Sequence, residues 1–408
     1  MRRRSIWSLA DQVVSSLTNL VVLVVVTRTA PLGEIGAFAL AFSVYQLLLA
    51  LTRPLNTDPL LISYSGETAE AQREAGRSAS GGAVALGLLV GLVGVAAWGV
   101  VRGSPGRALL ALAACSAIFL LQDAWRLLFI TQGAPTKAVV NGVIALVALV
   151  PALFVTDQLF GATASSSVLA WAGATAVAAL AGVPQARIWP RPDRALRWWK
   201  DTSHLGTPML GENVVAMAGY LVAIASIAWV SGVPALGRLR AAQVAIAVSH
   251  PLILVAGIVV TAEGSRVLST GRLRRLVALV GLGTAGFTLL VTLAWHLVPA
   301  SLGRRVLGPS WAGARPLLLA AGLFALAVSL TTVVSAGLRA ARAPRVALCA
   351  RLVAAPLIVT AALLGARSGP GIAILAMAVV EVGCAGLMWI RFRRGARAEP
   401  AETLVVPA

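Results

Sequence analysis

The chain has 408 residues, of which 58% are hydrophobic and only 12% charged, against roughly a quarter charged in soluble domains. That excludes an ordinary soluble domain, because so much apolar surface has no place to be buried in water. The formal charge of +19 does not point to nucleic acid either, since most of the arginines fall in short loops between apolar stretches, where basic residues set membrane orientation.

Stretches of about twenty apolar residues recur along the chain, each long enough to cross a hydrocarbon core about 30 Å thick. They predict twelve spans, over 9–29, 37–62, 80–101, 108–131, 138–155, 166–185, 205–230, 241–262, 276–298, 316–338, 346–366 and 370–390. The expected fold is an all-α integral membrane protein with about 12 transmembrane helices. With the N-terminus inside, the inner segments hold about 22 basic residues and the outer ones 9, a positive-inside bias that puts both termini in the cytoplasm. Trp7, Trp98, Trp189, Trp198, Trp199, Trp229, Trp295, Trp311 and Trp389 fall near span ends, as an aromatic belt requires.

The first span is preceded by a basic Met1-Arg-Arg-Arg4 and contains Asp11, Gln12 and Asn19, without the small-residue site of a cleavable signal peptide. The second carries Arg53, about nine residues or roughly 14 Å from its inner end, too deep for easy snorkelling. Pro54 and Pro59 follow and are expected to kink or break the helix; Asn56 and Asp58 lie in the same stretch. Two readings stand: an Arg53–Asp58 pair that locks the kink, or a polar stretch lining a wet cavity. In span three, Gly82, Gly87, Gly91 and Gly94 predict close helix packing. In span four, Gln122, Asp123 and Arg126 share one helix face, either as a local ion pair or as a polar stripe facing a lumen.

Between spans six and seven runs the longest inner connection, RIWPRPDRALRWWKDTSH over 187–204, whose tryptophans and cations suggest an amphipathic interfacial helix. It divides the chain into a six-helix lobe (1–186), this cytoplasmic linker (187–204), a second six-helix lobe (205–391) and an unstructured cytoplasmic tail (392–408). The halves echo each other: PLGEIGAFALAFSV (31–44) resembles PALGRLRAAQVAIAV (234–248), and GAPTKAVVNGVIALV (133–147) resembles RAPRVALCARLVAAP (342–356). An even number of spans per half makes the repeat parallel, with a pseudo-two-fold axis along the membrane normal and a site expected between the lobes.

In the second half Glu212 and Asn213 hold positions equivalent to Gln12 and Asn19, and either glue helices together or line a cavity. His250 before Pro251 predicts a helix kink. Arg351 is close enough to the inner end of span eleven to snorkel, or could join Arg53 and Arg126 in a basic cluster. Glu381 lies mid-span without an obvious local partner, a candidate for ion coupling. Cys115, Cys349 and Cys384 sit in apolar spans without metal-ligand spacing. No P-loop, zinc-ligand pair or acid-rich loop is present, so the sequence points to a non-enzyme without metal or cofactor. The basic residues are almost all arginine, with Lys137 and Lys200 the only lysines, which suggests a GC-rich bacterial genome.

Three stretches carry a family resemblance. QVVSSLTNLVVLVVVTRTAPLGEIGAFALAF (12–42), QDAWRLLFITQGAPTKAVVNG (122–142) and PASLGRRVLGPSWAGARPLL (299–318) resemble, in order, the first two spans, the fourth-to-fifth span region and the stretch before the tenth span of Wzx-type polysaccharide flippases. These belong to a superfamily that includes multidrug/toxin extruders and the lipid II flippase. The resemblance implies two six-helix lobes around a cationic cavity, alternating access, and an undecaprenyl-diphosphate-linked oligosaccharide moved from the inner to the outer leaflet of a bacterial cytoplasmic membrane. Carried over, the arginine of the QD-x-x-R stretch is Arg126, and Arg53 and Arg351 match the family's basic residues on lobe-facing helices. Arginine suits this substrate, since its planar fork binds phosphate oxygens bidentately. Where the family tends to an acid early in span five, this chain has Asn141 and Gly142, so ion coupling there is in doubt. Gln12, Asp58, Asp123, Glu212, Asn213 and Glu381 remain candidates for cavity lining or coupling. Expected partners are the lipid-linked anionic glycan, membrane lipids, and cell-envelope glycosyltransferases or a polymerase, with no nucleic acid. Two alternatives stay open: an ion-coupled multidrug extruder, and a non-transporting membrane scaffold for cell-envelope glycosyltransferases.

Overall fold

A computed structural model describes residues 2–96, 100–266, 269–307 and 311–395. Trp98 of the expected aromatic belt, Arg397 of the basic count and the tail beyond residue 395 lie outside these. The described residues form helices α1 (Arg2–Thr29), α2 (Leu32–Tyr64), α3 (Ala69–Ala96), α4 (Gly103–Thr131), α5 (Pro135–Phe160), α6 (Ala164–Ala186), α7 (Ala195–Ser231), α8 (Val233–Ile246), α9 (His250–Ser265), α10 (Thr270–Leu297), α11 (Ala300–Leu307), α12 (Trp311–Ala314), α13 (Leu318–Ala340), α14 (Pro344–Ala366) and α15 (Pro370–Gly395). Eleven helical stretches are long and apolar enough to cross a membrane, counting α8–α9 and α12–α13 as continuous through short 3-10 turns, and α1 adds an apolar run over Ala10–Val26. Their flanks expose residues such as Leu92, Leu180 and Val379, the pattern of helices apolar on every side. This is a multi-pass, all-α membrane protein.

The chain separates into two compact units, Met1–Leu210 and Gly211–Ala408, with the division inside α7. In unit 1 one core gathers Phe38, Phe119, Leu149 and Trp171, and a second Leu60, Trp125, Phe129 and Trp198. In unit 2 a core runs from Ile227 and Leu239 through Trp311, Val333 and Ile374 to Phe392.

Small residues set the spacing in unit 1. A Cβ added at Gly87 would overlap the backbone of Ala117 on α4, and one at Gly94 the Cβ of Ala113, so the glycines of α3 do serve close packing. A Cβ at Gly81 would overlap the carbonyl of Arg191 in the connection. Gly81→Ala is therefore expected to cost about 1–3 kcal/mol, because backbone cannot rotate aside; thermal unfolding in detergent measures it, with Gly173→Ala, which meets nothing within 4 Å, as control.

Three expectations change. The helix α2 runs unbroken through Pro54 and Pro59. Gly206 of α7 packs against the carbonyl of Pro54, so a neighbouring helix supports the proline turn. The connection 187–204 is not a separate amphipathic helix: after a 3-10 turn at Pro192–Arg194, residues from Ala195 on form the first turns of the 37-residue α7. Its tryptophans face inward, Trp198 against Tyr64 at 6.0 Å and Trp199 donating to Asn56 Oδ1 at 2.8 Å, while Trp189 and Leu196 stay exposed. Finally, α8 begins at Val233, eight residues before the expected span start, and a 3-10 turn at Ala247–Ser249 interrupts it just before His250 and Pro251.

The internal repeat has a structural counterpart. The turn at Gly133-Ala134-Pro135 and that at Arg342-Ala343-Pro344 share one hydrogen-bond pattern: Ala134 N–H to Phe129 O at 2.9 Å, and Ala343 N–H to Leu338 O at 2.9 Å. Gly133 has φ 68° and Arg342 φ 56°, both left-handed. That turn favours glycine, and the second half forms it with arginine.

Candidate functional site

Helices α1, α2 and α4 bring four charges of unit 1 into one ladder. Arg126 forks onto Asp11, with Nε donating to Oδ1 at 3.2 Å and a terminal nitrogen to Oδ2 at 2.7 Å. Arg53 forks onto Asp123 with bonds of 2.8 and 2.7 Å. Asp123 and Arg126, one turn apart on α4, stand 3.8 Å apart and join the two forks. Asp11 and Asp123 are each 3% exposed. Fully buried carboxylates need such partners, because an isolated charge out of water is prohibitively costly. The strong bonds thus run between helices, neither within α4 nor from Arg53 to Asp58. Asp58 still acts electrostatically on Arg53.

Arg53 keeps 24% of its side chain accessible. Asp123 accepts from its Nε and one terminal nitrogen. A guanidinium has five N–H groups, and the remaining three meet no acceptor among the described residues. Beside Arg126 opens a small cleft of about 30 Å³, walled by Tyr45, Phe119 and Trp171 and edged by Ser15, Asn19, Gln122 and Thr175. Gln12, on α1 beside Asp11, is half-buried and does not line it. Asn141 is fully buried: it donates to Ala178 O at 2.7 Å and Gln185 Oε1 at 3.1 Å and accepts from Gln122 at 3.3 Å. Its amide ties α4, α5 and α6 together.

Unit 2 holds two further buried clusters. Glu212 accepts from Ser335 Oγ at 2.6 Å and from Arg339 at 2.9 Å, and Asn213 Oδ1 accepts from Arg339 at 3.2 Å. Arg351 donates to Glu381 Oε1 at 2.6 Å, and Thr331 donates to Oε2 at 3.0 Å. Arg351 does not snorkel; it is 8% exposed, and its Nε is buried without a hydrogen-bond partner among the described residues. Glu381 therefore has the partner its own sequence neighbourhood does not offer. Arg339, expected in an inner loop, is within α13, where it faces Glu212 one turn beyond Ser335.

One residue escaped sequence reasoning. Arg240, expected in an outer loop, lies seven residues into α8, about 10 Å along its axis. It donates to Tyr220 Oη at 3.2 Å and Gln243 Oε1 at 3.1 Å, and its guanidinium carbon stands 5.8 Å from the Tyr220 ring centroid. These partners are neutral, so its charge is oriented without being cancelled, and it is exposed. The signal available in sequence was Pro234, well placed to start a helix at its N1 or N2 position.

Chemically, the deep arginines fall into two sorts. Arg126 and Arg351 are buried against carboxylates, Arg126 by a two-bond fork and Arg351 by a single bond. Arg53 and Arg240 offer donors outward and can bind an anion with planar acceptor oxygens. Among the described residues no group of three or more His, Cys, Asp or Glu could hold a metal ion.

By sequence, no family model matches the chain and no curated protein is similar to it. By structure the likeness is extensive. A crystal structure of MATE in the straight conformation superposes with a TM-score of 0.77 at 14% identity, covering 97% of this chain and 95% of that one. An outward-facing multidrug resistance MATE family transporter of the MOP superfamily gives 0.73 at 14% identity, over 97% and 95%. A MOP superfamily transporter from Pyrococcus furiosus, described as having a binding pocket of reverse polarity that suggests a different function, also gives 0.73 at 14%, again over 97% and 95%. The chain has the fold of the MATE transporters.

Proposed function

We propose that this protein is a membrane transporter that flips an undecaprenyl-diphosphate-linked oligosaccharide from the inner to the outer leaflet of a bacterial cytoplasmic membrane by alternating access. The fold it shares with transporters supports transport in general. The observation that carries the substrate reading is Arg240: an exposed arginine about two turns into a membrane helix, oriented by Tyr220 and Gln243 with no carboxylate bonded to it among the described residues. An unneutralised guanidinium inside a membrane helix is costly to hold in lipid, a cost that a bound diphosphate offsets. Arg53 supplies a second unfilled donor edge. A pocket for cationic drugs would instead leave carboxylates unneutralised, and here Asp11, Asp123, Glu212 and Glu381 each face an arginine.

The test is purified protein in proteoliposomes containing a labelled undecaprenyl-diphosphate sugar, with flipping read from enzyme access to the label. Wild type is expected to flip it and Arg240→Gln to slow flipping about tenfold or more, the worth of a charged hydrogen bond, at unchanged protein level. Efflux of a cationic dye without flipping would identify a multidrug extruder. Neither activity, in protein that folds, would favour the scaffold.

A further inference from the structure

Unit 2 has one end that is basic and free of acids. Ser231 of α7 donates to Ala366 O of α14 at 2.7 Å, Arg238 of α8 packs over Gly313 of α12, and Gly371 of α15 lies against Leu317. These contacts bring residues 231–239, 297–307, 311–317 and 366–371 to one end. Together they contain five arginines, Arg238, Arg304, Arg305, Arg315 and Arg367, and no Asp or Glu. All five are exposed. The corresponding end of unit 1 is mixed: Glu34, held by Ser104 and the Ala164 N–H, and Asp157 accompany Arg28, Arg102 and Arg107. In the orientation expected from the basic-residue count, the arginine end lies outside, where basic residues are normally scarce.

The short helix α11 gives this surface its form. Gly303 faces inward, where a Cβ would overlap the Trp311 ring. Leu302 and Val306, four residues apart, share an exposed face. Arg304 lies opposite it and Arg305 flanks it, by the 3.6-residue period. Exposed Trp229 and Leu297, at the ends of α7 and α10, mark a lipid boundary at the same end. An apolar face beside a cationic one is the arrangement of a helix lying in the plane of a bilayer surface.

We propose that this end of unit 2 is a docking surface for the headgroups of anionic phospholipids, with Leu302 and Val306 in the acyl boundary and Arg304 and Arg305 at the phosphates. Charge complementarity selects the occupant: five cations with no acid among them favour anionic over zwitterionic headgroups, by about fivefold in local abundance per arginine near the surface.

A bimane label at Val306→Cys, in full-length protein with Cys115, Cys349 and Cys384 replaced by alanine, reports the lipid beside α11. In phosphatidylcholine vesicles containing brominated phosphatidylglycerol it is expected to be quenched more strongly than with the same amount of brominated phosphatidylcholine. Arg304→Gln with Arg305→Gln should erase that difference. The exposed pair Arg272→Gln with Arg275→Gln, at the opposite end of α10, should leave it intact. If the arginine variant does not fold, high salt on the labled parent must erase the preference instead, since exposed charges are screened. Equal quenching by both lipids, no quenching by either, or a preference that survives loss of both arginines or high salt would overturn the proposal.

Discussion

Asp123→Asn is expected to destabilise unit 1 by about 3–5 kcal/mol, the cost of breaking a buried ion pair from one side. Asp123 is the joint of the ladder: it takes both bonds of the Arg53 fork and stands 3.8 Å from Arg126. Neutralising it leaves two guanidinium groups on adjacent helices with only Asp11 directly bonded to either. Unfolding in detergent, followed by circular dichroism, measures the loss. Adding Arg53→Gln should return part of it, since the second change removes the charge left behind. Strict additivity of the two changes would mean that the fork contributes nothing.

In unit 2 the matching expectation separates brace from binding site. Glu381→Ala should also cost about 3–5 kcal/mol, because Arg351, 10% exposed in its side chain, loses its one carboxylate partner. Replacing both, Arg351→Met with Glu381→Met, should be near neutral or stabilise by about 1–4 kcal/mol, as apolar replacement of buried pairs often does. We expect that double variant to keep flipping activity, which would make Arg351 a brace between α14 and α15 and leave anion contact to Arg53 and Arg240. Loss of flipping in a stable double variant would return Arg351 to the binding role that its resemblance to family arginines implied.

The spans were legible because hydropathy over twenty residues is a local property, and so was the repeated Ala-Pro turn before α5 and α14. Helix starts were less so. Arg238 and Arg240 lower the hydropathy of the first turns of α8, so the span was read from residue 241 although the helix begins at Val233. Pairing was hidden for a different reason. Arg53 and Asp123 are 70 positions apart, Arg126 and Asp11 115, and which side chains meet depends on helix rotation and neighbour choice, which one sequence does not contain. Depth offers a partial signal. Arg351 precedes the end of α14 by 15 residues and Glu381 follows the start of α15 by 11. In a helix hairpin that places them at similar height, so such an acid and base are natural partners. The inward-facing tryptophans at 198 and 199 were misread because Trp-rich, basic segments at membrane interfaces and Trp-rich helix starts docked on protein have the same composition.

The carboxylate partners of the buried arginines also have an electrical consequence. Carrying one elementary charge across a membrane potential exchanges about 2.3 kcal/mol per 100 mV. A guanidinium and a carboxylate 2.6 or 2.7 Å apart travel as a neutral dipole, so displacing the helices that hold them does almost no work against the field. Arg240 has no carboxylate bonded to it among the described residues, so a displacement of α8 along the membrane normal would carry its charge through the field. A bound diphosphate would cancel that charge and add its own negative excess, which an inside-negative potential drives outward. If the protein flips such a substrate as proposed, the loaded carrier would therefore feel the potential in the direction of export, and the empty one, with Arg240 unneutralised, would be drawn back.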